Sequence, residues 1–336
     1  MAIQDVGRVE LEARAREIMR PEFVDRVVYP AVGGTARRAL PSDYDAAVVQ
    51  NTGTGRVTIR YHFGPDLVVY GKLYSDELGP HCFRVMTRLW EDGFGADERY
   101  QVVEPLAYLP EHNMLLTRAA DGVPLLTLVG QDSPEVLAHV RQAATWLVRL
   151  HRLPARLGPP DSLWYSLKLF RLVRRLTKAV AMAPQERTRL TDMLEALCDK
   201  GKQGLCQPLV QTHGRFHHEH VFVAGPKTTV LDFDRSHPAD PAKDLGEFVS
   251  MLRLRTFKRT GSVAPAEAST RAFLDAYRTH LPWNLENLAI HWAAFLLLNM
   301  FHYVKKPAPD ASARERMMQF YRRDLELALS GTWVSG

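Results

Sequence analysis

The chain has 336 residues, of which 46% are apolar and 24% charged, and its 43 basic against 38 acidic residues leave a formal charge of +5. That balance excludes a disordered chain, no run approaches the roughly 18 apolar residues of a membrane span, and the length suits two domains. Basic residues are interspersed with acids, Arg171 to Lys178 being the densest cluster, so nucleic acid is a disfavoured partner.

Three cysteines, Cys82, Cys198 and Cys206, show no metal-ligand spacing, and their odd number fits a reducing compartment. The first residues lack the basic-then-apolar pattern of a secretory signal, so a cytoplasmic location without membrane attachment is expected.

Val9 to Met19 reads as an amphipathic helix. Three hairpin strands follow, Ala46–Val49, Val57–Phe63 and Leu67–Tyr74, the first pair joined by a turn containing Gly53 and Gly55. Pro80 opens a helix with Phe83, Met86, Leu89 and Trp90 on one stripe. Tyr100–Leu109 and Asn113–Leu116 read as further strands, Pro134–Leu153 as a core helix stopped by Pro154, and Tyr165–Leu197 as more helical pattern. From Ala266 to Leu329 the pattern is helical throughout, with Trp283, His291, Trp292, Phe301 and Tyr303 either core or pocket lining.

The chemistry concentrates between Leu209 and Phe248. Val221–Ala224 and Lys227–Leu231 flank Gly225-Pro226 as a hairpin, preceded by His213-Gly-Arg-Phe-His-His-Glu-His220 and followed by Asp232-Phe-Asp234 and Asp240-Pro-Ala-Lys-Asp244-Leu245. Asp240 is expected to cap the helix that follows and Asp244 to anchor the loop at His213. This stretch resembles the aminoglycoside phosphotransferase and choline kinase group. Their catalytic loop reads His-Gly-Asp, four residues, then Asn, with an Asp-Phe-x segment and an Asp-Pro-x-x-Asp-Leu segment after the strand pair. His213, Gly214, Asp232, Phe233, Asp240, Pro241, Asp244 and Leu245 match. Arg215 stands at the catalytic Asp position and His220 at the Asn position.

The resemblance implies an α+β, two-lobed protein-kinase-like fold. A small antiparallel-sheet N-lobe would span 1–117 and a larger, mainly helical C-lobe 118–336, with the catalytic-loop hairpin at 209–248. It further implies ATP or GTP as donor, Mg²⁺ or alternatively Mn²⁺ as metal, and a small-molecule hydroxyl as acceptor. Lys72, taken alone an exposed strand lysine, becomes the phosphate contact. Gly53 and Gly55 would face the nucleotide, and the backbone at Thr117 and Ala119 would receive the base. Asp232 would hold the metal, with Asp234 and His220 as further candidates. No acid stands near Phe83–Val85 to pair Lys72, and Glu91 is expected to face solvent.

The catalytic candidates are Arg215, His213 and His217. An arginine cannot take a proton from an alcohol, because its pKa exceeds about 12, so Arg215 is expected to bind phosphate oxygens, and His217, His218 or Glu219 to replace the base. A transition-metal cluster of His217, His218, Glu219 and His220 is a lesser reading, since adjacent residues of an extended segment point opposite ways. Two functions stay open: an atypical phosphotransferase, or a pseudokinase that binds nucleotide and regulates a protein partner. The first requires Lys72 opposite Asp232, with room for a triphosphate between them.

Overall fold

The computed structural model describes residues 2–33, 40–51, 55–154, 156–160, 209–281, 287–304, 306 and 310–330, with 188, 192 and 195 individually. Gly53, Cys198, Cys206, the Arg171–Lys178 cluster, nearly all of the Tyr165–Leu197 pattern and Trp283 lie outside them. The chain divides into two compact units, Met1–Val123 with Phe222–Arg235, and Pro124–Val221 with Ser236–Gly336. The division thus falls six residues beyond the expected lobe boundary, and it gives most of the hairpin and its Asp232-Phe-Asp234 sequel to the first unit.

In the first unit, β1 (Asp45–Asn51), β2 (Arg56–His62), β3 (Val68–Tyr74), β5 (Pro105–Leu109) and β6 (Met114–Arg118) form one antiparallel sheet in the order β1-β2-β3-β6-β5. Alternation along β2 buries Val57, Ile59 and Tyr61, as a sheet with one covered face requires. α1 (Ala2–Ile18) adds Leu11, Ala15 and Ile18 to the same core at helical spacing, and Tyr61 donates its hydroxyl to the Ile18 carbonyl at 3.2 Å.

The expected strand Tyr100–Leu109 is two strands serving two sheets. β4 (Tyr100–Val102) runs parallel to β10 (Lys227–Val230), Val103 gives its N–H to Val230, and only from Pro105 does the chain join β6. β4, β10, β9 (Val221–Ala224) and β7 (Val123–Pro124) make a second sheet in the order β4-β10-β9-β7. Gly122, at φ +84°, permits a tight approach here: a Cβ would lie 2.1 Å from the Val223 carbonyl oxygen. α2 (Leu78–Leu89) buries Cys82, Val85, Met86 and Leu89, a face turned one position from the predicted stripe, so Phe83 and Trp90 are only half-buried.

The second unit is mainly helical: α3 (Pro134–Arg152), α4 (Ala242–Thr260), α5 (Ala264–His280), α6 (Leu288–Val304) and α7 (Ala311–Ser330), with a short antiparallel pair β8 (Val210–Thr212) and β11 (His237–Ala239). Ser133 caps α3 by accepting the Val136 N–H. α3 packs on α5 and α4 on α6, the latter closely enough that a Cβ on Gly246 would fall 2.7 Å from both His291 Cβ and the Trp292 nitrogen. His291, Trp292 and Phe301 are buried, and Trp292 donates its indole N–H to Asp324 at 3.2 Å, so these aromatic positions are core. Among the described residues no helix is long and apolar enough to cross a membrane.

Candidate active site

Lys72 lies on β3, opposite Thr58 of β2, and Arg56 lies opposite Tyr74. In the same unit the chain leaves β10 and reaches Asp232, whose φ of +73° puts a non-glycine residue in the left-handed region, a conformation costing about 1–3 kcal/mol that persists only where the surroundings impose it. The Lys72 ammonium donates to Asp232 Oδ1 at 2.6 Å and to Asp234 Oδ2 at 2.8 Å. No triphosphate-sized gap separates Lys72 from Asp232, contrary to the expectation, because one ammonium neutralises two carboxylates whose side chains are only 18% and 12% exposed.

The pairing that the α2 helix does not supply is therefore supplied by this dyad, and Glu91 is exposed. Burial alone would lower the Lys72 pKa, but the Asp232 and Asp234 charges outweigh it and raise the pKa, so the ammonium is fixed in its charged form.

Arg56 and Tyr74 complete the cluster, and neither was singled out from sequence. Arg56 Nε donates to Asp234 Oδ2 at 3.3 Å and its Nη2 to Asp76 at 2.8 Å, while its guanidinium lies over the Tyr74 ring, 4.7 Å from the centroid. The Tyr74 hydroxyl donates to the other Asp234 oxygen at 2.8 Å. Asp234 thus braces three donors, and Asp232 turns toward Lys72 alone of these. Gly55, at φ +91°, precedes this corner and accepts from Arg56 Nη1 and from the Ser75 N–H. Ala119 gives its N–H to the Val68 carbonyl at 2.9 Å and Thr117 lies in the ladder opposite Tyr70, so sheet pairing engages the predicted base-receiving segment.

The loop from His213 to His220 belongs to the second unit. Its start is fixed by Asp244, fully buried on the first turn of α4, which accepts the His213 N–H at 2.7 Å, the Gly214 N–H at 2.8 Å and His151 Nε2 at 3.2 Å. Burial would raise the Asp244 pKa, yet His151 and these donors hold it below the usual carboxylate range. The middle of the loop is pinned by Phe216, stacked 5.7 Å from Trp146 and 5.5 Å from Phe248. Asp240 accepts the Ala242 N–H at 2.8 Å and the Asn287 amide at 2.6 Å; it ties the start of α4 as expected, although Pro241 is the residue at the cap position itself.

The candidate side chains of this loop are engaged as follows. Arg215 is exposed, and its guanidinium makes no hydrogen bond or ion pair among the described residues. His213 Nδ1 accepts the Arg215 N–H at 3.3 Å, which makes it part of the turn. His217 is buried, its Nδ1 accepts the Glu219 N–H, and burial with the neighbouring His220, His218 and Arg215 drives its pKa far down. His218 is fully buried, with neither ring nitrogen hydrogen-bonded among the described residues, and burial together with Arg255 pushes its pKa down to about 3. Glu219 is ion-paired to Arg255.

His220 Nδ1 meets the Arg215 carbonyl at 3.0 Å, which requires the proton on Nδ1, and its ring stacks 4.0 Å from His217. No group of three or more His, Cys, Asp or Glu side chains forms a metal cage among the described residues, the His217–His220 run included. The pair Asp232 and Asp234 offers two carboxylate oxygens, the donor type Mg²⁺ prefers, and both are engaged by the Lys72 ammonium.

No curated protein matches the chain significantly. Among solved structures, a glucosamine kinase in complex with glucosamine, ADP and inorganic phosphate superposes with a TM-score of 0.59 at 19% identity, covering 93% of this chain and 86% of its own. A spectinomycin phosphotransferase in complex with ADP and spectinomycin gives 0.56 at 13% identity over 86% and 93%. An ethanolamine kinase of Plasmodium vivax gives 0.55 at 12% identity over 94% and 92%. These likenesses establish the α+β, kinase-like fold of the chain. The model described as the phosphotransferase enzyme family (APH) matches residues 38–283; the chain belongs to that family.

Proposed function

We propose that this protein moves the γ-phosphate of ATP or GTP to a hydroxyl of a small molecule, with a loop that positions the acceptor without deprotonating it. The observation that carries this reading is the Lys72 ammonium bound at once to Asp232 and Asp234, a closed pair that an entering triphosphate and its metal would have to part. A loose phosphoryl-transfer transition state asks mainly for positioning and charge. Lys72 is a donor of fixed charge for phosphate oxygens; Asp232 and Asp234 would hold Mg²⁺, which when bound neutralises charge developing on those oxygens. Solved structures of the same fold hold ADP beside glucosamine or spectinomycin, which supports a nucleotide and a small hydroxylated acceptor here.

Arg215 sets the rate. Losing a general base typically forfeits about 10²–10⁴ in rate. The exposed guanidinium of Arg215, without a hydrogen bond or ion pair among the described residues, also favours a second reading, a pseudokinase that binds nucleotide and acts through a protein partner. Purified protein with ATP and Mg²⁺ or Mn²⁺, scored for thermal shift and for ADP release across a panel of hydroxylated small molecules, separates them. Slow turnover that rises at least about 100-fold in Arg215→Asp is the expected result. A nucleotide-dependent thermal shift with no ADP release in either protein would establish the pseudokinase instead.

A further inference from the structure

A basic pocket in the second unit has no part in the chemistry above. It is an open groove of about 380 Å³ between Leu126, Thr127 and Val129, which follow β7, and Arg255, Lys258 and Arg259 on the last turns of α4. Residues at these i, i+3 and i+4 positions share one helix face. Arg259 builds the wall, donating Nη1 to the Thr127 carbonyl at 2.8 Å and to the Val129 carbonyl at 3.0 Å. The floor is tied to the His213–His220 loop twice, by the Leu126 N–H on the His218 carbonyl at 3.0 Å and by the Arg255–Glu219 ion pair.

The charges of this pocket do not balance. Three cations line it and Glu219 is the one acid paired to them among the described residues. Lys258 makes no hydrogen bond or ion pair among the described residues, and Arg255 Nε is buried without a hydrogen bond. Partial burial, then Arg255 and Lys306, push the Lys258 pKa down despite Glu219, a sign that like charges crowd here. His218, close to Arg255, adds two buried ring nitrogens without hydrogen bonds among the described residues and carries no compensating charge. Concave, one-signed charge with an unengaged ammonium and a guanidinium edge suits a carboxylate or phosphate ester and repels an amine.

We propose that this pocket docks an anionic group carried by the acceptor itself, so that the substrate class is a hydroxylated acid or phosphate ester. The assignment rests on the phosphotransferase reading, in which the His213–His220 loop positions the acceptor, and it follows from the pocket's two ties to that loop. An acceptor anion on Lys258 and Arg255 competes with Glu219 for the guanidinium and so binds directly against that loop.

The test uses three pyranose probes of one scaffold and different charge: glucose 6-phosphate, glucuronate and glucosamine. Affinity is measured by calorimetry on the full chain, and KM by ADP release. The two anions are expected to bind at least ten-fold tighter than glucosamine and to show the lower KM. Lys258→Glu, at an exposed position, is expected to cost the anions ten-fold or more in both quantities, and Lys258→Arg to retain them. Preference for glucosamine, or anion affinity indifferent to Lys258→Glu, overturns the pocket while leaving the phosphotransferase reading intact. Anion binding that depends on Lys258 with unchanged KM makes the site regulatory and overturns the acceptor role. Absence of turnover with every probe, despite nucleotide binding, overturns the reading and the acceptor role together.

Discussion

Asp232 in the first unit and Asp244 in the second stand twelve residues apart in one motif run, and the structure treats them in opposite ways. Asp244 is sealed from solvent, sits on a regular helix and satisfies three donors that hold the loop and His151. Asp232 is partly exposed, sits on a left-handed backbone and faces an ammonium shared with Asp234. Asp244 is saturated where water cannot reach, whereas Asp232 stays partly accessible on a backbone that costs stability. The same contrast holds within each unit: the Lys72 cluster of the first keeps a charged, partly exposed ion pair, while the His213–His220 loop of the second is held by buried contacts.

The largest expected effect breaks this contrast at its rigid end. Asp244→Ala leaves the His213 and Gly214 N–H groups and His151 buried without their acceptor, which is expected to cost about 3–5 kcal/mol. Urea unfolding would measure it, with Asp232→Ala as the control expected to lose less than half as much. Equal losses would mean that both carboxylates are structural.

Acid supplies the second test, of intermediate size. His217 and His218 have folded pKa values below the ordinary value near 6.5, so below that pH the unfolded chain binds protons the folded chain refuses. Stability from these residues is therefore present above pH about 6.5 and falls as the pH drops toward the folded values, by up to about 1.4 kcal/mol per pH unit for each. Asp244 adds a further loss below its unfolded value near pH 3.9, because its folded pKa is depressed as well. His218→Phe keeps the apolar packing and removes a titration, so it is expected to retain about 2 kcal/mol more than the parent at pH 5 relative to pH 7.5. Parallel pH profiles for parent and variant would show that His218 is solvated and its burial unimportant.

How much of this was legible follows from which residues carry chemistry through sequence alone. The run from His213 to Leu245 was readable because its residue types have few other uses at that spacing, and the hairpin announced itself through Gly225-Pro226. Arg56 was missed because alternation was started at Val57; extending β2 by one residue puts Arg56 on the face of Thr58 and, across the pair, of Lys72 and Tyr74. Phe216 looked like one aromatic in a histidine-rich loop, and only the packing of Trp146 and Phe248 shows it as the loop's anchor. The parallel β10–β4 pairing joins residues more than 120 positions apart, and nothing local encodes it. The closed Lys72–Asp232 pair was unreadable for a different reason: which charges meet depends on a single left-handed residue.

That residue allows the smallest and sharpest test of the comparison. Asp232→Ala and Asp232→Gly remove the same carboxylate and differ only in whether a Cβ must be carried at φ +73°. Glycine adopts that conformation without the steric penalty of about 1–2 kcal/mol that alanine incurs, although it orders a more flexible unfolded chain, which returns about 0.5–1 kcal/mol. The glycine variant is therefore expected to be more stable than the alanine variant by about 0.5–1 kcal/mol in urea unfolding, while both lose the metal-dependent part of the nucleotide thermal shift. If alanine is the more stable of the two, the left-handed turn relaxes once the carboxylate is gone, and the strain belongs to the ion pair with Lys72. If glycine is the more stable, the backbone after β10 imposes the turn itself, and the protein carries a permanent stability cost to aim this one side chain.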